Sequence, residues 1–170
     1  GRGDDHVAPD ESDPRSVGHS YTLPTNTEDP AVVRHYLLTL CDKVAWRMRR
    51  DGFAARCVTA YIRYGHFHGI GKQRQLREPI NDGLKLFETA WDMMRHWNDA
   101  PVRLVGVSAS SLVHGNEQSS LFQKERKMSS VLTALDAIQT RYGSRAWTRA
   151  SLLTTDVMER TSGFRYDHEL

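Results

Sequence analysis

Thr59, Tyr61 and Arg63 stand two residues apart in the run RCVTAYIRY, residues 56–64. In an extended strand that period turns Cys57, two hydroxyls and a guanidinium to one face, and Val58, Ala60, Ile62 and Tyr64 to the other. Lys72, Gln73, Arg74 and Gln75 crowd the next strand-like segment, KQRQLR (72–77), while Ser16, Gly18 and His19 lead into the first. Such groups donate to phosphate oxygens, and Gly18 lets backbone N–H groups approach closely. A flat array of these strands can lie along a duplex and touch both backbones without reading bases. The plain alternative is a solvated sheet face, with Lys and Arg on an edge strand discouraging aggregation.

Other chemistries find less support. His66 and His68 form an H-x-H pair in GHFHG, but no Cys, Asp or Glu lies nearby in sequence to complete a metal site. A turn between two glycines accounts for them. There is no G-x-S-x-G, no P-loop and no dinucleotide fingerprint. Two-metal phosphoryl transfer needs carboxylates that hold ions about 3.5–4 Å apart, whereas Asp42, Glu88 and Asp92 are scattered over helix surfaces. Trp46, Trp91 and Trp97 fall in helical stretches and do not alternate with the basic strand residues as a base-stacking platform would. No catalytic residue, metal or cofactor is assigned to this chain.

The pentapeptide Gln118-Ser119-Ser120-Leu121-Phe122 lies in a polar stretch, 114–127, with little reason to pack. An exposed Leu-Phe pair there is costly unless a partner covers it, and Gln118 adds an amide anchor. The combination reads as a short linear ligand for an apolar pocket. The competing reading is a stray apolar pair that caps the next helix.

The elements that must position these groups follow from periodicity. Residues 1–14 hold five acids, one Arg and two prolines, and are expected to be a disordered acidic tail. A short strand, 19–23, is closed by Pro24. The first helix opens at Asp29-Pro30 and carries a stripe of Val33, Leu37, Leu40, Cys41, Val44 and Met48, with Gly52 as its stop. The strands 56–64 and 72–77 come next. A second helix, 82–97, is expected to bury Leu84, Phe87, Ala90, Trp91 and Met94. The run VRLVGVSAS, 102–110, reads as a central strand. The order β-α-β-β-α-β predicts an α+β fold. It is a two-layer sandwich in which two helices cover one face of a four-stranded antiparallel sheet and leave the other face open and basic. A third helix, 124–142, with the stripe Met128, Val131, Leu132, Leu135, Ile138 and Tyr142, forms a C-terminal helical extension; 143–170 has no assigned path.

Composition agrees without deciding. The 170 residues suffice for one core plus tails, and the net charge is +2. Residues 15–112 carry 14 Lys and Arg against 9 Asp and Glu, a surplus that permits nucleic-acid contact without demanding it. Cys41 and Cys57 fall on apolar faces, as buried thiols of a cytoplasmic protein would. No run approaches the ~18 apolar residues of a membrane span, and no membrane partner is expected. The chain opens on Gly and reads as a piece of something longer.

Several stretches together resemble one family: RSVGHSYTLPTNTED, LLTLCDKVAWRMRRDGFAARCVTAYIRYGHF, KQRQLREPIND and VRLVGVSASSL. In this order and spacing they are similar to the little-finger domain of bacterial Y-family, DinB/UmuC-type translesion DNA polymerases, over residues 15–112. The resemblance implies an open-faced sheet that straddles duplex primer-template DNA. It implies phosphate contacts from Ser16, Val17, Gly18 and His19, from Arg63, and from the segment 71–76. Lys72 stands where the family often has Arg, and Gln75 where it often has Thr. The family's acidic palm motifs are absent, so this chain is expected to bind DNA without polymerising it. The Mg2+ and the DNA-directed polymerase activity would reside in the catalytic domains of the parent. The peptide Gln118–Phe122 also looks like the Q-x-x-L-F motif that docks on the bacterial sliding clamp, with Gln118, Leu121 and Phe122 as anchors. On this reading 113–123 is a clamp-binding linker and 124–170 a C-terminal helix and tail. The alternative is a protein-interaction module that works through the third helix, without DNA binding.

Overall fold

The computed structural model describes residues 13–97, 100–115, 123–143 and 146–153. Its elements are β1 (Ser16–Thr27), α1 (Pro30–Arg50), β2 (Phe53–Tyr64), β3 (Gly69–Ile80), α2 (Gly83–Met94), β4 (Val102–His114), α3 (Gln123–Tyr142) and a 3-10 turn at Ala150–Leu152. The helix starts follow local rules. Asp29 accepts from the Ala31 N–H at 2.8 Å, with Pro30 in the first turn, and Asp82 accepts from the Leu84 N–H at 2.8 Å. Arg47, Arg49 and Arg50 occupy the last turn of α1, where cations suit the helix dipole, and Gly52 beyond it takes φ +75°.

The strands form one antiparallel sheet in the order β1-β4-β2-β3. Alternation sends Val17, Tyr21 and Leu23 of β1, Val58, Ala60 and Ile62 of β2, and Val105, Val107 and Ala109 of β4 into a single core. Leu37, Leu40, Val44 and Met48 of α1 and Leu86, Phe87, Ala90 and Met94 of α2 fill it from the same side. Both helices therefore cover one face, as the element order implied. Cys41 and Cys57 are free and buried; burial, reinforced by Asp42, pushes the Cys41 thiol well above its ordinary range.

The strands run longer than their sequence signals. β1 continues through Pro24 and β3 through Pro79 because both are edge strands, where a missing N–H interrupts no inner ladder. Helix α2 is shorter than expected, and of its expected stripe Phe87, Ala90 and Met94 are buried. Leu86 and Met93 are buried as well, whereas Leu84, in the first turn beside the Asp82 cap, is 36% exposed. Helix α3 departs further. Of its expected stripe Leu132 is buried, but Met128, Val131, Ile138 and Tyr142 are exposed. It is held by Arg49, which grips Asp136 through two bonds of 2.6 and 2.7 Å and also donates to the Asn81 carbonyl at 2.7 Å. The tail returns as well: Arg149 makes a two-bond contact with Asp42 at 2.7 and 2.9 Å, and Leu152 enters the core. Of the acidic tail expected over 1–14, residues 1–12 lie outside the described residues, and Asp13 lies 2.9 Å from the His114 ring.

Candidate nucleic-acid interface

The face away from the helices is built by register. Reading from β1 to β3, its rows are Ser16–Ser110–Cys57–Gln75, Gly18–Ser108–Thr59–Gln73, Ser20–Gly106–Tyr61–Gly71 and Thr22–Leu104–Arg63–Gly69. Thr59, Tyr61 and Arg63 thus share this face, as their spacing predicts, and Arg63 is exposed. Thr59 Oγ1 lies 3.4 Å from Gln73 Oε1 across the β2–β3 pair. The surface between them is low. A Cβ at Gly18 would stand 3.2 Å from the Ser108 side chain, and one at Gly106 would collide with the Tyr61 ring. Tyr61 therefore lies across β4, with Gly106 as its bed.

The same register separates residues that the sequence grouped together. Lys72 pairs with Ala60 and Arg74 with Val58, so both belong to the helix side of β3, not to the open face. Arg74 confirms this by bonding Asp92 of α2 at 2.8 Å, and that hydrogen bond is the main reason the Asp92 carboxyl titrates below its usual range. Gln73 and Gln75 stay on the open face. Val17 is buried in the core, which leaves only its backbone for a ligand. His19 also turns to the helix side and is half-buried. Burial first, then Lys43 and Arg47, hold its pKa below the ordinary imidazole value. The open face is thus mainly a floor of hydroxyls, amides and glycines, with Cys57 and Leu104 set among them and Arg63 as the one charge in its rows. Arg47 reaches the Gly18 carbonyl at 3.3 Å, and Arg56 the Arg77 carbonyl at 2.7 Å.

Ser20, Thr22, Gly106, Ser108 and Ser110 belong to this face and were not singled out from the sequence. The signal was present in VRLVGVSAS, where Val105, Val107 and Ala109 alternate with Gly106, Ser108 and Ser110. His66 stacks on Tyr64 at 5.5 Å, and His68 lies 5.3 Å from His66. Among the described residues no group of three or more His, Cys, Asp or Glu is placed to hold a metal ion, and no helix is long and apolar enough to cross a membrane. Trp91 and Trp97 pack edge to face at 6.1 Å against the core. The peptide 118–122 lies outside the described residues.

A family model described as the C-terminal domain of the impB/mucB/samB family matches residues 14–121. The chain belongs to this family. Its relatives are bacterial DNA polymerases. The chain is 33% identical over 143 residues to a "DNA polymerase IV" of Moorella thermoacetica, a match covering 82% of this chain and 36% of that protein. It is 32% identical over 146 residues to "DNA polymerase IV 2" of Bacillus subtilis, covering 82% and 35%. The chain thus spans about a third of the length of the curated relatives it matches. Among solved structures it is similar to "Dbh Ternary Complex (substrates partially disordered)", at TM-score 0.50 and 20% identity, over 56% of this chain and 28% of that one. That likeness is one of fold. The resemblance to the Y-family C-terminal domain drawn from the motifs is borne out, and the impB/mucB/samB match covers the whole sheet with both covering helices.

Proposed function

We propose that this chain is the part of an error-prone DNA polymerase that grips duplex DNA by its phosphates, without sequence preference, and tethers the enzyme to a sliding clamp. One observation carries the first half: a bare four-stranded face floored by Ser, Thr, Gln and Gly, with both helices stacked behind it. Four strands at ~4.8 Å spacing make a face about 14 Å across, close to the roughly 12 Å width of a DNA major groove. Hydroxyls, amides and backbone N–H groups suit phosphate oxygens, and Arg63 adds charge. Residues 15–112 form the gripping unit, 113–123 the linker and 124–170 the extension. Polymerisation and its Mg2+ belong to the catalytic domains of the parent, which works in the bacterial cytoplasm. Within this chain the work is binding.

The clamp half rests on Gln118, Leu121 and Phe122. A tether raises the local concentration of the enzyme at a stalled primer and so offsets a weak grip. A duplex titration at several salt concentrations tests the grip. The expected slope corresponds to roughly 3–5 neutralised phosphates, and salt-insensitive binding contradicts the reading. Replacing Leu121 and Phe122 together by Ala should abolish binding to purified clamp and leave duplex affinity intact.

A second reading, a protein-interaction module worked by α3, is favoured by the exposure of Met128, Val131, Ile138 and Tyr142. It requires that duplex binding survive joint replacement of Arg63, Lys72 and Arg74, and that the 128–142 stripe control association.

A further inference from the structure

The β2–β3 hairpin presents its least comfortable residue to water. The Phe67 N–H donates to the Tyr64 carbonyl at 3.0 Å, and the Tyr64 N–H to the His68 carbonyl at 2.7 Å. These bonds close a tight loop in which Phe67 takes φ +69°. Hairpins usually fill such a left-handed position with Gly or Asn, because a side chain there crowds the backbone. Glycines flank this loop at 65 and 69, yet Phe holds the strained position and is 68% exposed. Burial gives it no compensation. The Arg103 guanidinium stands over its ring, 5.1 Å from the centroid. His66, stacked on Tyr64, and His68 complete the tip.

The tip adjoins one end of the sheet. Gly69, where β3 begins, pairs with Arg63, so the loop that carries Phe67 starts just beyond the last row of the sheet. Among the described residues neither Arg63 nor Arg103 is ion-paired with a carboxylate. An exposed aromatic ring with one guanidinium over it, and no acid bonded to that guanidinium, suits a ligand that is planar and anionic at once. A nucleotide in single-stranded nucleic acid is such a ligand: its base stacks on the ring and its phosphate meets the guanidinium. An apolar protein pocket would use the ring but leave the guanidinium unmatched.

We propose that Phe67 is a stacking platform for an unpaired base at the end of the duplex, with Arg103 beside its phosphate. This rests on the reading that the open face holds DNA, and it adds a place where paired DNA gives way to single strand.

The test compares the affinity of the 170-residue chain for three probes: a blunt duplex, the same duplex with a short single-stranded overhang, and one whose overhang is abasic. Wild type is expected to bind the base-bearing overhang about five- to tenfold more tightly than the abasic one, in keeping with the stacking of one base. Phe67→Asn suits the left-handed position, so the fold is kept or stabilised while the ring is removed. This variant should lose the distinction between the two overhangs and keep both its blunt-duplex affinity and its salt slope. Equal wild-type affinity for base-bearing and abasic overhangs overturns the proposal. So does a Phe67→Asn variant that still distinguishes them, or one whose only defect is association with the catalytic part of the parent. If wild type fails on the blunt duplex, the grip is wrong; base-bearing against abasic single strands, measured alone, then still decides the platform.

Discussion

Arg74 of β3 donates to Asp92 of α2 at 2.8 Å, tying an edge strand to the helix layer behind it. Both partners are close to half exposed, so the pair adds little to stability. Its value is orientation, because it fixes which way Arg74 faces.

That orientation separates two arginines that look alike in sequence. Arg63→Ala should weaken duplex binding several-fold at low salt and lower the salt slope by about one. Arg74→Ala should change either quantity far less. Fluorescence titration of both variants over a range of salt concentrations checks this, and equal losses would return Arg74 to the interface.

Tyr61 needs the space above Gly106. Gly106→Ala should displace the ring and cost about 1–3 kcal/mol as an overpacked contact, read as a lower midpoint in urea. Adding Tyr61→Ser should restore much of that stability, because the collision is specific to the ring. A double variant no more stable than the single one would show that Gly106 serves the backbone.

His19 supplies a pH dependence. Its folded pKa lies below the unfolded value, mainly through burial and then through Lys43 and Arg47. Below the ordinary imidazole range the unfolded chain therefore binds more protons than the folded one. Stability should be full at neutral pH and fall as pH drops from about 7 towards 5, the window set by the unperturbed imidazole. His19→Gln should flatten this part of the profile of unfolding free energy against pH.

Helix α3 hangs on few contacts. Asp136→Ala removes both bonds from Arg49 and leaves Leu132 as its one buried stripe residue. Amide exchange should speed up across α3 while that of β4 and α1 stays slow, because their core does not include this helix. Duplex affinity should not change.

Much of this was legible in the chain. Two-residue alternation in 56–64 placed Thr59, Tyr61 and Arg63 correctly, since a strand with one buried face is pinned in register. The stripe of α1 was equally plain, because each of its six positions meets the core. β3 was harder to read. Its side chains are nearly all exposed, so no apolar alternation marks which way Lys72 and Arg74 turn, and only pairing with β2 decides it. His19 follows the same rule, set by Val17 and Tyr21 on either side. Leu84 fell outside the buried stripe of α2 because it lies in the first turn, one residue past Gly83 and the Asp82 cap. The returning tail could not be read at all. Arg149 and Asp42 stand 107 residues apart, and no local pattern announces such a pair.

Pro24 and Pro79 sit on the two strands that bound the sheet. Each leaves a gap in the line of donors that a fifth strand would need. Lateral growth is therefore discouraged on both flanks, and neighbouring copies gain little by zipping together side by side. A surface whose breadth is capped in this way keeps a constant gauge, like a rail, whatever runs along it.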